Sequence, residues 1–377
     1  KMKSKVILYK LLKLSIFVLL ATFIYFTPRE LLLDQLTVSD EVFRALSMNK
    51  PILALESTII THGLAYPVNL QTQLKLQQIA KSMNVTPATI AVLNGKPAIG
   101  LSDSQLQALA QSSDAVKASS HDLQLVGAFK RTASTTVAAT LKIASALGID
   151  VFSTGGIGGV HRFADKFEFD VSADLTQLAN SKTIVVSAGC KAILDLRGTL
   201  EVLETNQVLV AGYQTKQMPA FYSRRSLDNL ELDYSLENAQ QAAQLFQAKP
   251  NKGYLLFNPI PKENEIPAEE IEPFIMDAIK SMHAANIKGK KVTPYLLAKM
   301  SEITKEKSVT ANLALIENNV KVGSEIASEI KKIQGVNWKN PVFVACGCLG
   351  IKNLKAVALS LVLVYATLKV FGRAMTK

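Results

Sequence analysis

The stretch from Asp150 to Leu196, DVFSTGGIGGVHRFADKFEFDVSADLTQLANSKTIVVSAGCKAILDL, constrains the fold of this chain more than any other. It reads as a strand (Val151 to Ser153), a glycine-rich turn and a helix start bearing carboxylates. A second strand (Thr183 to Ser187) follows and ends in Gly189-Cys190-Lys191. In an α/β protein the carboxyl ends of neighbouring strands open onto one crevice, where ligands bind. The stretch would therefore gather Gly155, Gly156, Gly158 and Gly159 for close backbone approach, Asp170 and Asp174 as anionic oxygens, and Lys191 as an amine. That set suits a phosphorylated small molecule with a cation beside it.

The rest of the chain repeats the strand–helix alternation. Ile52 to Leu55, Thr89 to Leu93, Ala115 to Ala118, Val208 to Val210 and Gly253 to Phe257 read as strands. Leu31 to Asn49, Asn69 to Met83 with Asn69 as its cap, Thr135 to Leu147, Ser235 to Ala248 with Ser235 as its cap, Ala268 to Ala285, Pro294 to Glu306 and Ser308 to Ile333 read as helices. This spacing predicts an α/β fold, an α/β/α layered domain around a largely parallel sheet, with hydrophobic N- and C-terminal extensions. The boundaries fall at residues 1–44 for a basic, apolar extension, 45–335 for the domain, and 336–377 for a second apolar, basic extension.

Charge follows the same division. The formal net charge of the 377 residues is +11. Within residues 1–30, Lys1, Lys3, Lys5, Lys10, Lys13 and Arg29 stand against Glu30 alone, and six lysines and arginines after residue 335 stand against no acid, which leaves residues 31–335 at zero. The body between is electrically balanced. A nucleic-acid binder concentrates its basic charge on the folded face, so the sequence predicts no nucleic-acid partner. Lysines flanking apolar runs suit a membrane interface. The N-terminal run, Leu14 to Phe26, reads as an uncleaved membrane anchor, an organellar or secretory targeting segment, or an appended extension. The C-terminal runs read as a tilted transmembrane helix, an interfacial hairpin, or sequence foreign to the mature protein. Three cysteines, Cys190, Cys346 and Cys348, cannot build a disulfide framework, which favours a reducing compartment for the body.

On the residues alone, each chemical reading has a plain alternative. The glycine run lacks a third glycine at His161 for the dinucleotide fingerprint and lacks the Lys-Ser/Thr of a P-loop; it is an anion cradle or simply a tight turn. Asp170 and Asp174 flank Ser172, a candidate N-cap, and either bind a cation or merely suit a helix start. Oxygen ligands would favour Mg or Mn over zinc. Lys191 follows an apolar strand directly and is either ion-paired or desolvated into a nucleophile. Glu56 closes another apolar strand in the same way.

Together the segments ALESTIITHGLAYPVNL (54–70), PATIAVLNGKPAIGL (87–101), STTVAAT (134–140), GIDVFSTGGIGGVHR (148–162), FDVSADL (169–175), VVSAGCKAILDL (185–196), TLEVLET (199–205), PAFYSR (219–224), NPIP (258–261) and TPYLL (293–297) resemble the pseudouridine-5′-phosphate glycosidase family, over roughly residues 45 to 335. The resemblance implies an enzyme that reversibly splits the C–C glycosidic bond of pseudouridine 5′-phosphate into uracil and ribose 5-phosphate. It also implies a divalent metal, usually Mn and otherwise a cation such as Mg, an α/β/α fold and a homotrimer. By motif, Lys191 resembles the lysine that forms a Schiff base with the opened sugar, Glu56 the proton donor and Asp170 the metal ligand. Ser172, Ala173, Asp174, Lys117, Val137 and Asn312 resemble substrate contacts.

Three segments depart from the family's pattern. Ser119-Ser120-His121-Asp122-Leu123 stands where Ser-Arg-Arg-Asp-Leu is usual, which weakens phosphate binding unless Lys130 or Arg131 compensates. Phe163 and Glu306 stand where glycines are usual. The alternative to an active enzyme is a catalytically weak or silent sugar-phosphate-binding protein tethered to a membrane.

Overall fold

The computed structural model describes residues 36–162, 170–248 and 252–334, nearly all of them in one compact unit, residues 38–337. The expected membrane and targeting segments lie outside the described residues. Among the described residues, no helix is long and apolar enough to cross a membrane.

The core is a mixed, mostly parallel sheet. Its strands include β1 (Ile52–Leu55), β2 (Thr86–Leu93), β3 (Lys96–Ile99), β4 (Val116–Ala118), β5 (Ala133–Thr135), β6 (Val151–Ser153), β8 (Ile184–Ser187), β10 (Leu209–Tyr213), β11 (Ser235–Leu236) and β12 (Tyr254–Phe257). A separate two-stranded ribbon pairs β7 (Val160–His161) antiparallel with β9 (Leu194–Asp195). The main path runs β3-β2-β1-β6-β8-β12-β10-β11, parallel from β2 onward, with β5 antiparallel on β2 and β4 parallel to β5. Every residue of β1, β6, β8 and β12 is buried. A strand covered on both faces has no polar side to show, which is why these segments read as unbroken apolar runs rather than alternating ones. The β2–β3 hairpin closes on Asn94 and Gly95, both at positive φ (52° and 80°), the conformation a two-residue hairpin turn requires.

Helices flank the sheet: α1 (Asp40–Ser47), α2 (Val68–Ser82), α3 (Asp103–Gln111), α4 (Leu123–Ala128), α5 (Val137–Leu147), α6 (Ala173–Ala179), α7 (Leu196–Thr205), α8 (Ala239–Gln247), α9 (Ala268–Ala284), α10 (Val292–Ile303) and α11 (Lys307–Gln334). Local chemistry explains their starts. Ser102 and Gln105 form a reciprocal capping box on α3, Thr136 caps α5, and Ser172 caps α6 as expected. Gly148 ends α5 at φ 74°.

The structure corrects several expected boundaries. The first helix starts only at Asp40, because Ser39 accepts from Val42 N at 3.3 Å and caps it there. Asn69 is not a cap: it lies inside α2, buried, donating to Ile60 O (2.6 Å) and Ala110 O (3.1 Å). The first bond pins a π-helical turn, Ile59–Gly63, that carries no sequence signature, and the second ties it to α3. Ser235 lies in β11, and the cap of α8 is Asn238, which accepts from Gln241 N at 3.0 Å. The helix expected to reach Glu306 stops at Ile303, because Lys305 and Glu306 are left-handed (φ 48° and 66°) and turn the chain into α11. That last helix packs across β1, β6 and β8, directly beneath the crevice those strands open.

Candidate active site

Register places the first two groups. β1 and β6 are parallel neighbours with Leu55 opposite Ser153, so the next residue of each, Glu56 and Thr154, emerge side by side. The Thr154 hydroxyl donates to Glu56 Oε1. Burial pushes the Glu56 carboxyl above the usual carboxylate range, against the opposing pull of the Lys191 ammonium, the Thr154 bond and Lys117. A carboxyl held in that state is suited to carrying a proton.

Lys191 follows from the next strand. Past β8 the chain turns at Gly189, whose φ is +94° and whose absent Cβ would lie 2.1 Å from Pro219 O; no other residue fits there. Lys191 N then donates to Ile157 O at 3.1 Å, seating the lysine against the glycine turn. Its neighbour Cys190 is a poor rival nucleophile, because burial pushes the thiol up to about 12. The ammonium groups of Lys117 and Lys191 both bear on Glu56 and on His161, so the groups picked out by motif converge on one place. Burial lowers the His161 imidazole below its ordinary range, and burial followed by Lys117 does the same to His62.

Asp174 has a definite architectural task. Its Oδ1 accepts from Ala138 N and its Oδ2 from Gly158 N, both at 2.8 Å, and the residue is 5% exposed. One carboxylate thus ties the starts of α5 and α6 to the glycine turn. A Cβ on Gly158 would meet Ser172 Oγ at 2.3 Å, so the turn must be glycine for α6 to dock. Val137 is buried at the first position of α5, and Ala173 opens α6. Replacing Asp174 by alanine strands two backbone N–H groups and is expected to cost about 3 kcal/mol. A thermal unfolding scan should show the melting temperature several degrees lower; an unchanged scan would contradict this role.

Asp170 sits apart from these bonds. Its side chain is 50% exposed, with His161 Nδ1 at 3.9 Å from Oδ2. Among the described residues, no three His, Cys, Asp or Glu side chains gather to hold a metal ion.

Behind the turn, α11 supplies two asparagines. Asn319, fully buried, donates to Thr154 O (2.8 Å) and accepts from Asn258 Nδ2 (2.9 Å), so it braces the strand end that carries Thr154. Asn312 Oδ1 stands beside Gly155. Asn312 is only 9% exposed, yet its amide makes no hydrogen bond to any described residue. It lines a cavity of about 400 Å³ together with His62, Tyr222, Leu297, Ser301 and Glu306. The Glu306 carboxylate accepts from Ser301 Oγ at 2.7 Å.

Glu56, Lys191 and Asp170 are marked by the sequence; Thr154 and Asn319 are not. Thr154 was open to discovery, since its place in the strand register is that of Glu56. The role of Asn319 depends on a helix 165 residues away in sequence from Thr154, and nothing local announces it.

The fold and the site define an α/β protein with a buried carboxyl just beyond β1 and a lysine on the turn after β8, the two strands flanking β6. Residues 41–329 match the family described as indigoidine synthase A like protein. The chain is 46% identical over 303 residues to the pseudouridine-5′-phosphate glycosidase of Clostridium botulinum, covering 79% of this chain and 98% of that one. It is 47% identical over 293 residues to the enzyme of the same name from Mesorhizobium japonicum, covering 77% and 95%. Among solved structures it resembles an indigoidine synthase A-like protein from Thermotoga maritima (TM-score 0.70, 32% identity, 79% and 97% covered). It also resembles the prealnumycin C-glycosynthase AlnA in complex with ribulose 5-phosphate (TM-score 0.72, 33% identity, 79% and 98% covered). The chain belongs to the pseudouridine-5′-phosphate glycosidase family of enzymes, the indigoidine synthase A-like family.

Proposed function

We propose that the protein cleaves the C–C glycosidic bond of pseudouridine 5′-phosphate, reversibly, giving uracil and ribose 5-phosphate. The observation that carries the reading is the electrostatic pairing of Lys191, on the turn after β8, with a buried, proton-holding Glu56 at the end of β1, the two strands flanking β6. A bond to a ring carbon cannot be cleaved by protonating a leaving oxygen, as ordinary glycosidases do. An amine at the sugar carbon solves the problem. Lys191 Nζ adds to C1′ as the bond to the ring oxygen breaks, and Glu56 supplies the proton that oxygen needs. The ammonium formed at Nζ returns a proton to Glu56, Glu56 passes it to the base carbon, the C1′–C bond breaks, and the freed nitrogen lone pair forms the C1′=N bond of a Schiff base. Water hydrolyses the imine, releasing ribose 5-phosphate and restoring the amine.

The remaining residues bind. Val137 opens α5, where Ala138 N and Ala139 N are already taken by Asp174 and Thr136 and the Val137 N–H is left to meet a substrate oxygen, and the charge of Lys117 reaches Glu56. The unpartnered Asn312 amide has the donor and acceptor that a uracil edge requires, and the cavity beside it has room for a base. A divalent cation such as Mn²⁺ or Mg²⁺ would be held through Asp170: one half-exposed carboxylate suits an ion whose other ligands are water and substrate oxygens. Such an ion would contribute charge that fixes and polarises those oxygens. The assembly that accompanies this reading is a homotrimer, and attachment to a membrane would run through the apolar ends.

The test is direct. Incubation with pseudouridine 5′-phosphate and Mn²⁺ should release uracil and ribose 5-phosphate in equal amounts, and uridine 5′-phosphate should stay intact. Asn312→Ala should raise KM for uracil in the synthetic direction about tenfold, the loss of one or two hydrogen bonds from a buried site. Binding of ribose 5-phosphate without release of uracil from the nucleotide would instead identify a silent sugar-phosphate-binding protein.

A further inference from the structure

The first two turns of α9 carry Glu269, Glu270 and Glu272, and each pairs with a base from a different segment bordering the crevice. Glu269 meets Arg225 of the loop after β10, and Glu270 meets Lys307 at the start of α11, both at 2.5 Å and both well exposed. Glu272 meets Arg162 at 2.5 Å, and this pair is sheltered, with side chains only 21% and 24% exposed. Arg162 makes a second bond: its Nε donates to Leu194 O at 2.8 Å.

Leu194 closes the turn that begins at Lys191. Its own N donates to Lys191 O at 3.0 Å, and in the β7–β9 ribbon it lies opposite His161. The Lys191 turn is therefore held from two sides. On one, Lys191 N is bonded to Ile157 O of the glycine turn. On the other, Arg162, at the far end of that same glycine segment, grips Leu194 O. A guanidinium is rigid and planar, so fixing one edge on Glu272 fixes the direction of Nε; a lysine ammonium, a point charge on a flexible stem, has no such fork to hold that direction.

We propose that Arg162 is a positioning residue for Lys191, and that Glu272 on α9 holds it in place. This rests on the reading of Lys191 as the covalent amine. Half an ångström of drift in a nucleophile lowers the rate of bond formation while leaving ligand affinity largely intact. The pair should therefore act on kcat rather than KM.

Three variants test this in the full chain: Arg162→Lys, Glu272→Gln, and Glu269→Gln, which breaks the exposed pair on the same helix. Each is assayed for kcat, KM and the rate at which borohydride traps a ribose 5-phosphate adduct, with thermal unfolding run alongside. Arg162→Lys is expected to lower kcat and the trapping rate together, by about 30-fold, with KM within threefold of the parent. Glu272→Gln, which keeps Arg162 itself, should lower both about fivefold through the weaker neutral bond, and serves where Arg162→Lys folds poorly. Glu269→Gln should match the parent. Trapping at the parental rate in both Arg162→Lys and Glu272→Gln would overturn the proposal, as would an equal loss in Glu269→Gln. If the parent itself forms no adduct, the covalent reading fails and this inference falls with it; if the parent forms one and all variants keep pace, only this inference falls.

Discussion

Replacing Lys191 by alanine is expected to abolish the Schiff base and lower turnover by about 10⁴-fold, the scale seen when a covalent nucleophile is removed. Nothing beside it can take over. The Cys190 thiol is adjacent, but with its pKa pushed up to about 12 it stays protonated at neutral pH. Lys117 is the other amine whose charge reaches Glu56, yet it is placed on β4, whereas Lys191 lies on the turn bonded to Ile157. The measurement is borohydride reduction in the presence of ribose 5-phosphate, followed by intact mass and peptide mapping. The parent should gain one reduced sugar-phosphate adduct on the peptide containing Lys191, Lys117→Ala should keep it, and Lys191→Ala should gain none. An adduct that persists in Lys191→Ala and vanishes in Lys117→Ala would move the covalent chemistry to the other amine. Because Lys191 is bonded through its backbone N rather than its side chain, folding should survive the substitution.

What the sequence made legible here was set by how local the physics is. Fully buried parallel strands must be apolar throughout, so the strands at 52–55, 151–153, 184–187 and 254–257 could be read almost residue for residue. Glu56 and Lys191 each follow one of these apolar runs and so stand out singly; their joint roles come from the family resemblance, since the strand order that brings them together, β1-β6-β8, is not written in either run. Caps were legible only where the competing use of the side chain was absent. Ser172 caps α6, but Asn69 and Ser235 look equally good on paper. Asn69 is drawn instead to two carbonyls on other segments, and Ser235 to the parallel edge of β10. Asp174 shows the limit most clearly. Its place in the first turn of α6 was readable, but the two backbone N–H groups it satisfies belong to a turn 16 residues away and a helix 36 residues away. The Arg162–Glu272 pair, 110 residues apart, has no local signal at all.

Glu56→Gln is expected to remove turnover at every pH, by about 10²–10⁴-fold for loss of a general acid, and at the same time to make the protein more stable in alkaline solution. The second effect follows from the sign of the proton linkage. Burial raises the folded-state pKa of Glu56 above its ordinary 4.5, so the folded protein keeps a proton there that the unfolded chain releases. Stability from the neutral carboxyl is complete below the unfolded value, declines as pH rises through the raised folded value, and stays low beyond it. Glutamine is neutral at all pH, has nearly the same shape, and its Oε1 can still accept from the Thr154 hydroxyl, so it suffers no such decline. Melting temperatures of the two proteins should therefore coincide near pH 4 and separate progressively above it, with the variant the higher. Parallel curves across that range would mean that Glu56 ionises as freely in the fold as in the open chain, and would remove the physical basis for its role as proton donor. A variant that melts lower in alkaline solution would show that the attraction of Lys191 and Lys117 for the charged carboxylate outweighs its burial. Activity and stability thus respond in opposite directions to one substitution, as expected of a group kept buried for its chemistry at the expense of the fold.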